Sequence, residues 1–327
     1  MIVLGIESTA HTFSVGIVND NGDILSNSKD MFKPELGKGF DPADLAEHHY
    51  ALSNKILDDA LKQANLKMDD IDVTAFSQGM GIPNSLKVGA SVARYLALKY
   101  NKPLIGVNHG IAHIEIGKLK TGVDDPVIVY LSGGNSQILA YTGGRYRIFG
   151  ETQDIPVGNA FDVLARALVM PMPGGPEIEK AARNGKYVQL PYVVKGMDMS
   201  FTGIMTAAIE KFKEGTSKED IAYSMQETCF AMLTEVTERA LAHTNKNQVV
   251  LVGGVAANKR LQEMMETMCR ERGATFHVVP MEFSGDNGTM IAWTGVLAYE
   301  AGQIVKISES KINQNWRTED VEIGWLK

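Results

Sequence analysis

Two histidines four residues apart, His109 and His113, are the side chains of this sequence best placed to do chemistry. Positions i and i+4 share one face of an α-helix, so both imidazoles can converge on one metal ion. The residues between them are Gly, Ile, and Ala, so the glutamate that acts as general base in zinc peptidases is missing. The pair therefore predicts a metal site and counts against a peptidase, although this spacing also arises by chance or where a histidine caps a helix.

Two imidazoles make an incomplete metal site, so oxygen ligands must come from elsewhere in the chain. Asp286 is the best carboxylate candidate, because it lies in Ser-Gly-Asp-Asn-Gly (284–288) where a strand is predicted to give way to a helix. The alternative role for Asp286 is an ordinary helix N-cap, which aspartate favours.

Two glycine loops follow predicted strands and could approach a phosphate. In Tyr-Leu-Ser-Gly-Gly-Asn (130–135) the glycines allow close backbone approach, and the serine and asparagine add polar side chains. In Gly-Gly-Val-Ala-Ala-Asn (253–258) the glycines leave a buried strand and open directly onto a helix N-terminus, which attracts anions. This second loop lacks the G-x-G-x-x-G spacing and the Walker lysine, so neither a Rossmann site nor a P-loop is predicted.

Between the glycine loops lie two further carboxylate candidates, Asp162 and Glu179. Glu179 comes about one helical turn after a glycine loop, where a carboxylate could hold ribose hydroxyls. Its alternative position is a solvated helix face.

Around these residues, apolar patterning predicts two similar strand meanders, at 2–31 and 127–153. Each reads as strand, tight polar loop, strand, glycine-containing turn and strand, which suggests an internal duplication. Strands alternating with helices elsewhere predict an α/β fold. Residues 43–66 predict a long amphipathic helix after a loop marked by Gly37, and the last ~20 residues predict a flexible tail or a linker.

His48 and His49 lie within the predicted helix 43–66. Adjacent helical side chains point about 100° apart, so we expect the two rings not to converge and to serve a surface or interface role. His11, in the first loop, is expected to line the cleft without a defined role.

The composition is that of an ordinary globular protein, with 44% hydrophobic and 22% charged residues. The only cysteines are Cys229 and Cys269, so we expect no disulfide framework and a reducing cytoplasm. Glu7 interrupts the apolar N-terminal segment too early for a signal peptide. No apolar run approaches the ~20 residues that span a bilayer, so we expect no membrane span. The net charge of −7 argues against a stand-alone nucleic-acid binder, so a polyanionic partner would need a local basic face or basic partner proteins.

Taken together, these motifs resemble the tRNA threonylcarbamoyladenosine synthase family, once described as O-sialoglycoprotein endopeptidase. The resemblance runs across nearly the whole chain, through Leu-Gly-Ile-Glu-Ser-Thr (4–9), Gln-Gly-Met-Gly (78–81), Asn-His-Gly-Ile-Ala-His (108–113), Leu-Ser-Gly-Gly-Asn (131–135), Phe-Asp (161–162), Gly-Gly-Val-Ala-Ala-Asn (253–258) and Gly-Asp-Asn (285–287). Ser-Thr-Ala-His after Glu7, and Asn135, are similar to the archaeal and eukaryotic branch, which works within the KEOPS complex.

The resemblance implies a duplicated actin-like ATPase fold, shared with sugar kinases and heat-shock chaperones, with two lobes around a nucleotide cleft. It places one lobe at 1–125 plus about 300–327 and the other at 126–299. It implies metal ligation by His109, His113 and Asp286, with Tyr130 as a fourth ligand. It carries adenylate contacts onto Tyr130, Leu131, Ser132, Gly133, Gly134, Asn135, Asp162, Gly175, Glu179, Gly254 and Asn258.

The implied reaction moves the threonylcarbamoyl group from threonylcarbamoyl-adenylate to N6 of the adenosine 3′ of the tRNA anticodon. Imidazole and oxygen ligands suit iron or zinc, and a tyrosine phenolate favours ferric iron. The implied partners are tRNA, an atypical kinase/ATPase and a small dimerising KEOPS subunit, for which helix 43–66 is a candidate docking face. Some members are fused to the kinase at the C-terminus, so the tail could be a linker.

Three other functions compete with this interpretation. A small-molecule kinase of the same superfold would use the same nucleotide cleft, but its chemistry does not require the histidine pair. A metallopeptidase is disfavoured by the missing glutamate. A scaffold would bind nucleotide without turnover.

Overall fold

The computed structural model describes residues 1–34 and 39–326. Gly37, predicted to lie in a loop, is therefore outside the described residues. The strands in chain order are β1 (Ile2–Glu7), β2 (Thr12–Asn19), β3 (Ile24–Met31), β4 (Val73–Gly79), β5 (Leu104–Asn108), β6 (Val127–Leu131), β7 (Ser136–Thr142), β8 (Arg145–Glu151), β9 (Val194–Lys195), β10 (Asp198–Met199), β11 (Gln248–Val252) and β12 (Thr275–Val278). The α-helices are α1 (Pro42–Ala64), α2 (Pro83–Tyr100), α3 (His109–Thr121), α4 (Val157–Ala167), α5 (Gly174–Ala182), α6 (Thr202–Lys213), α7 (Lys218–Thr244), α8 (Lys259–Glu271), α9 (Met281–Ser284) and α10 (Gly288–Glu300).

Two five-stranded sheets have the same topology, β3-β2-β1-β4-β5 and β8-β7-β6-β11-β12. In each, a three-stranded antiparallel meander is extended by two parallel strands. The meanders close through glycines with positive φ, Gly22 at 83° and the pair Gly143 and Gly144 at 60° and 80°, which side-chain-bearing residues adopt with difficulty. The predicted α/β fold and its duplication are confirmed.

Helix α3 is buried along most of its length and packs against elements of both sheets, including β5 and β11. Its Gly117 allows this approach, because a Cβ there would overlap the Val252 side chain. An amphipathic helix would expose one face, whereas α3 is covered on all sides. The histidine-bearing helix is therefore a rigid element between the halves.

Helix α10 packs on the first sheet, although the predicted boundary assigned residues up to 299 to the second lobe. Glycines make this contact close, since a Cβ at Gly5 or Gly16 would overlap the α10 backbone. Residues 284–288 were predicted to lead from a strand into a helix, but they join two helices. A short helix, α9, ends at Ser284, and α10 begins only at Gly288.

Residues 301–326, here called the C-terminal strap, are not a flexible tail. Val305 N–H donates to the Leu104 carbonyl (2.9 Å) beside the first sheet, and Ile323 N–H donates to the Gly144 carbonyl (2.9 Å) in the second. Thr318 and Ile323 are buried. The strap therefore joins both halves, because its backbone groups pair with each of them.

The expectation for His48 and His49 was wrong. The two Nδ1 atoms lie 3.2 Å apart, His49 Nε2 donates to the Ala10 carbonyl (3.0 Å), and His48 Nε2 contacts Asp30 (2.8 Å). His49 is fully buried beside Phe13, with ring centroids 5.5 Å apart. Side-chain torsions bring the rings together despite their different helical directions, so the pair ties α1 to the loop between β1 and β2. Across the described chain, no helix is long and apolar enough to cross a membrane.

Candidate metal centre and nucleotide cleft

Asn108 determines where the histidine-bearing helix begins. Its Oδ1 accepts hydrogen bonds from the N–H groups of Gly110 (3.0 Å) and Ile111 (3.2 Å), which satisfies two donors of the first turn. Its Nδ2 donates to the Trp316 carbonyl (3.0 Å) of the C-terminal strap. One buried amide therefore caps α3 and ties it to a segment two hundred residues away.

The structure brings His109, His113 and Asp286 together, with one ligand atom of each within 4.8 Å of the others. Asp286 Oδ1 lies 3.3 Å from His113 Nε2 and 3.6 Å from His109 Nε2. Ligand atoms about 2.1 Å from a tetrahedral ion would be about 3.4 Å apart, so these side chains fit a metal.

Asp286 is not the N-cap of the following helix. That role belongs to Asn287, whose Oδ1 accepts from Met290 N–H (3.0 Å). The structure therefore does not support the N-cap role for Asp286. Its carboxylate lies against the two histidines instead.

Glu7 supports the metal centre from behind. One carboxylate oxygen lies 3.1 Å from His109 Nδ1, and the other accepts from Thr9 N–H (2.6 Å) and from the Thr9 hydroxyl (2.5 Å). A carboxylate on Nδ1 holds the imidazole in the tautomer whose Nε2 can bind a metal. The motifs of the sequence did not predict this role. The available signal was an acid at the end of a buried strand, in Glu-Ser-Thr.

Charges within the centre shift its titration. Burial lowers the pKa of His109, but the charge and hydrogen bond of Glu7, with Asp286 adding, raise that pKa to about 9. Burial outweighs the Asp286 contact at His113 and lowers its pKa. Burial would raise the pKa of Asp286, but the His113 hydrogen bond and the histidine charges hold it well below its usual range. The centre therefore presents an ionised carboxylate at neutral pH.

Tyr130, at the end of β6, lies against the centre. Its ring centroid is 5.3 Å from that of His113, and its hydroxyl accepts from Asn135 Nδ2 (3.3 Å). Burial, with the Asp286 charge adding, raises the pKa of the phenol. Direct metal ligation by Tyr130 stays a prediction.

The loop after Tyr130, predicted as a phosphate cradle, is a tight turn held by its own serine. Ser132 Oγ accepts from the N–H groups of Gly134 (3.2 Å) and Asn135 (3.0 Å), so the serine shapes the loop. A Cβ on Gly133 or Gly134 would meet no atom within 4 Å. Both glycines therefore leave open space where a ligand can approach the backbone.

The second glycine loop meets the first at the adjacent ends of parallel strands β6 and β11. Gly253, with φ 89°, would overlap the Leu131 carbonyl if it carried a Cβ. The prediction that this loop opens directly onto an α-helix was wrong. A 3₁₀ turn (Gly254–Ala257) comes before α8. Asn258 caps α8 by accepting from Leu261 N–H (3.1 Å) and donates to Gln226 Oε1 (3.0 Å).

Asp162 and Glu179 hold the helices of the second half together. Asp162 accepts from Gly174 N–H (2.7 Å) at the start of α5, and burial raises its pKa. Glu179 accepts from Lys259 N–H (2.9 Å) at the start of α8. A Cβ on Gly175 would meet no atom within 4 Å, so the backbone there is open to a ligand. Adenylate contacts by these residues stay predictions.

Comparison with solved structures shows the actin-like ATPase fold. The chain superposes on HypF of Thermococcus kodakarensis with a TM-score of 0.61 and 16% identity, over 91% of this chain and 48% of that one. It superposes on the activator of the 2-hydroxyisocaproyl-CoA dehydratase of Clostridium difficile with a TM-score of 0.56 and 13% identity, over 93% and 97%. At these identities the likeness concerns the fold alone.

Comparison with curated sequences is much closer. Residues 22–293 match the family model described as TsaD, tRNA N6-adenosine threonylcarbamoyltransferase. Proteins of that name are 51% identical in Caldivirga maquilingensis, over 100% of this chain and 98% of the relative, and 54% identical in Thermococcus kodakarensis, over 99% and 100%. In Methanocaldococcus jannaschii a "Probable bifunctional tRNA threonylcarbamoyladenosine biosynthesis protein" is 52% identical, and this chain spans 61% of its length. The chain belongs to the tRNA N6-adenosine threonylcarbamoyltransferase family.

Proposed function

We propose that this chain transfers the threonylcarbamoyl group of threonylcarbamoyl-adenylate to N6 of adenosine 37, 3′ of the anticodon, in tRNAs that read codons beginning with A. The N6–carbon bond forms, the bond from the carbamoyl carbon to the phosphate oxygen breaks, and AMP and a proton leave. The observation that carries the proposal is the convergence of His109, His113 and Asp286 beside two glycine loops, in a chain of this family.

The glycine loops are the proposed phosphate site. The loops at 132–135 and 253–254 meet at Tyr130, and Gly133, Gly134 and Gly254 leave open space in which an anion can approach the backbone. The adenosine would extend over α4, α5 and the start of α8, where Asp162, Glu179 and Asn258 lie. This orientation would place the reacting carbonyl on the side of Tyr130 that faces His113.

His109, His113 and Asp286 would hold the metal, with Tyr130 as the proposed fourth ligand. A metal bound there would act as a Lewis acid that polarises the carbamoyl carbonyl. We propose iron, with zinc as the alternative, because imidazole and oxygen ligands suit both and a phenolate favours ferric iron. Glu7 maintains the metal-binding tautomer of His109, and the rigid α3 keeps both imidazoles in register with the cleft.

A peptidase is not favoured by the helix that carries the histidines. Its acidic residue, Glu115, comes after His113 and accepts a hydrogen bond from the Tyr146 hydroxyl (2.7 Å). Burial raises the pKa of Glu115. This carboxylate is engaged by Tyr146 and is not placed as a general base at the metal centre.

We propose that the protein is cytoplasmic and works with partner subunits of the KEOPS type, an atypical kinase/ATPase and a small dimerising protein among them. A chain of net charge −7 is poorly suited to hold tRNA alone. The bifunctional name of the longer M. jannaschii relative is consistent with a second activity in the same pathway.

Reconstitution tests the proposal directly. The chain, its partner subunits, the adenylate-forming enzyme, threonine, bicarbonate, ATP and tRNA are combined, and nucleosides are analysed for threonylcarbamoyladenosine. We expect product with the wild type and with His277→Ala, a half-buried histidine on the edge strand β12, and none with folded His109→Ala or His113→Ala. Absence of product with the wild type would refute the function. Activity of the alanine variants would refute the metal role, and elemental analysis of protein purified without chelators identifies the ion.

A further inference from the structure

A cavity of about 440 Å³ opens between the first glycine loop and the C-terminal strap. Its walls include Met80 from the first half, Asn135, Gln137 and Glu151 from the second, and Trp316 and Arg317 from the strap. Asn135 also donates to the hydroxyl of Tyr130. The cavity therefore begins one hydrogen bond away from Tyr130, whose ring packs on His113.

Gln137 is a second wall residue beside Tyr130. It pairs with Tyr130 in the antiparallel register of β6 and β7, so the two side chains are neighbours on one face of the sheet. Tyr130 in turn packs on His113. A group held by Gln137 would lie close to the metal-bound end of the donor.

The Gln137 amide has an unused acceptor. The side chain is 8% exposed, and its Nε2 donates to Glu151 Oε2 (3.2 Å). Since a carboxylate only accepts, this bond determines which end of the amide is oxygen. Oε1 has no donor among the described residues. A buried acceptor without a donor costs free energy, and a ligand that brings an N–H recovers it.

The strap holds this amide in position. Arg317 Nη2 lies 3.1 Å from Glu151 Oε1 and 3.3 Å from Oε2, so Glu151 is bound on one side by the strap and on the other by Gln137. Trp316, half-buried, supplies an aromatic wall of the same cavity. Bases that leave a stack are commonly held against aromatic side chains and read by hydrogen bonds on their edges.

We infer that this cavity receives the acceptor adenine, with Trp316 against the base and one hydrogen of the exocyclic amine donated to Gln137 Oε1. The inference rests on the proposed function and names the acceptor subsite of that reaction. The amine has two hydrogens, so one stays on Gln137 while the other leaves as the new N–C bond forms. The cavity volume lies within the roughly 300–1,000 Å³ of ligand pockets.

Binding tests the amine contact without turnover. The complex with its partners is titrated with anticodon stem-loops that carry adenosine or purine riboside, which lacks the amine, at the acceptor position. We expect the wild type to bind the adenosine form about tenfold more tightly, as for one hydrogen bond to a buried group. Gln137→Met should lose this preference, while Gln248→Met, at the start of another strand of the same sheet, should keep it. A preference that survives in Gln137→Met would overturn the inference.

Steady-state kinetics show whether the cavity binds the acceptor tRNA or the donor adenylate. Gln137→Met should lower kcat/KM for tRNA by about 10- to 100-fold and leave the KM for threonylcarbamoyl-adenylate unchanged. A raised KM for the adenylate instead would assign the cavity to the threonyl end of the donor and overturn the inference. Trp316→Leu, outside the sheet, should raise the KM for tRNA, and Trp316→Phe should restore it. If Trp316→Leu equals the wild type, the stacking role is refuted; if the wild type forms no product, the proposed function fails instead.

Discussion

The substitution Glu7→Gln tests how much the carboxylate behind His109 contributes to metal binding, because it leaves His109, His113 and Asp286 unchanged. Gln has the size of Glu but no charge. Its oxygen would accept from Thr9 N–H, as the Glu7 carboxylate does at 2.6 Å, and its NH₂ would then face His109 Nδ1. A facing donor makes Nδ1 the acceptor and moves the imidazole proton to Nε2. Nε2 is the atom that points at Asp286, so the variant selects the tautomer that cannot bind a metal.

Above about pH 9, where His109 is unprotonated in both proteins, the expected loss in metal affinity is about 10- to 100-fold, or about 1.4–2.7 kcal/mol, the usual effect of removing a carboxylate behind a histidine ligand. A second effect concerns pH. With Glu7 present the pKa of His109 is about 9 in the metal-free protein, so binding displaces one proton. The apparent affinity of the wild type for the metal should therefore rise about tenfold per pH unit until the pH reaches about 9. In Glu7→Gln the pKa of His109 falls, so the dependence should level off at a lower pH.

Competition with a chromogenic chelator, measured from pH 6.5 to pH 9.5, gives both quantities. Glu115→Gln is the matched control, because Glu115 is also buried and on the same helix as the histidines, but is bonded to Tyr146. Its metal affinity should equal that of the wild type even where its stability differs. A Glu7→Gln protein that is folded and binds metal with wild-type affinity and pH dependence would refute the reasoning.

Two further predictions concern the surroundings of the site. Burial, with the charge of the neighbouring His48 adding, lowers the pKa of His49 in the folded protein to about 4. As the pH falls below 6.5, His49 is therefore protonated in the unfolded chain before it is protonated in the folded one. The free energy of unfolding should fall by about 2 kcal/mol between pH 7.5 and pH 5. Urea unfolding of His49→Gln should lack this part of the pH dependence, and an unchanged slope would contradict the assignment. Gly134→Ala should fold normally, since its Cβ meets no atom within 4 Å, but should raise the KM for the adenylate roughly tenfold. Gly203→Ala, equally open and outside the cleft, is the control; equal KM values for the two variants would refute the cradle.

Much of the fold could be predicted from the sequence because its causes are local. Alternating and helical periodicity span a few residues, so the paired meanders at 2–31 and 127–153 and the helix after Asn108 could be located. The i,i+4 spacing of His109 and His113 likewise determines that both face one side of α3. The shared direction of the two side chains in the structure follows from helix geometry alone.

Local sequence therefore encodes the elements, the histidine pair and, through the motifs, the family. The distant groups that meet them depend on the packing of the whole chain: Asp286 beside the histidines and not at the helix cap, Glu7 behind His109, and the strap that closes the cavity beside Gln137. These contacts join residues a hundred or more positions apart. No local pattern encodes such pairs, because they arise only when both sheets pack α3 between them and the strap returns across both halves.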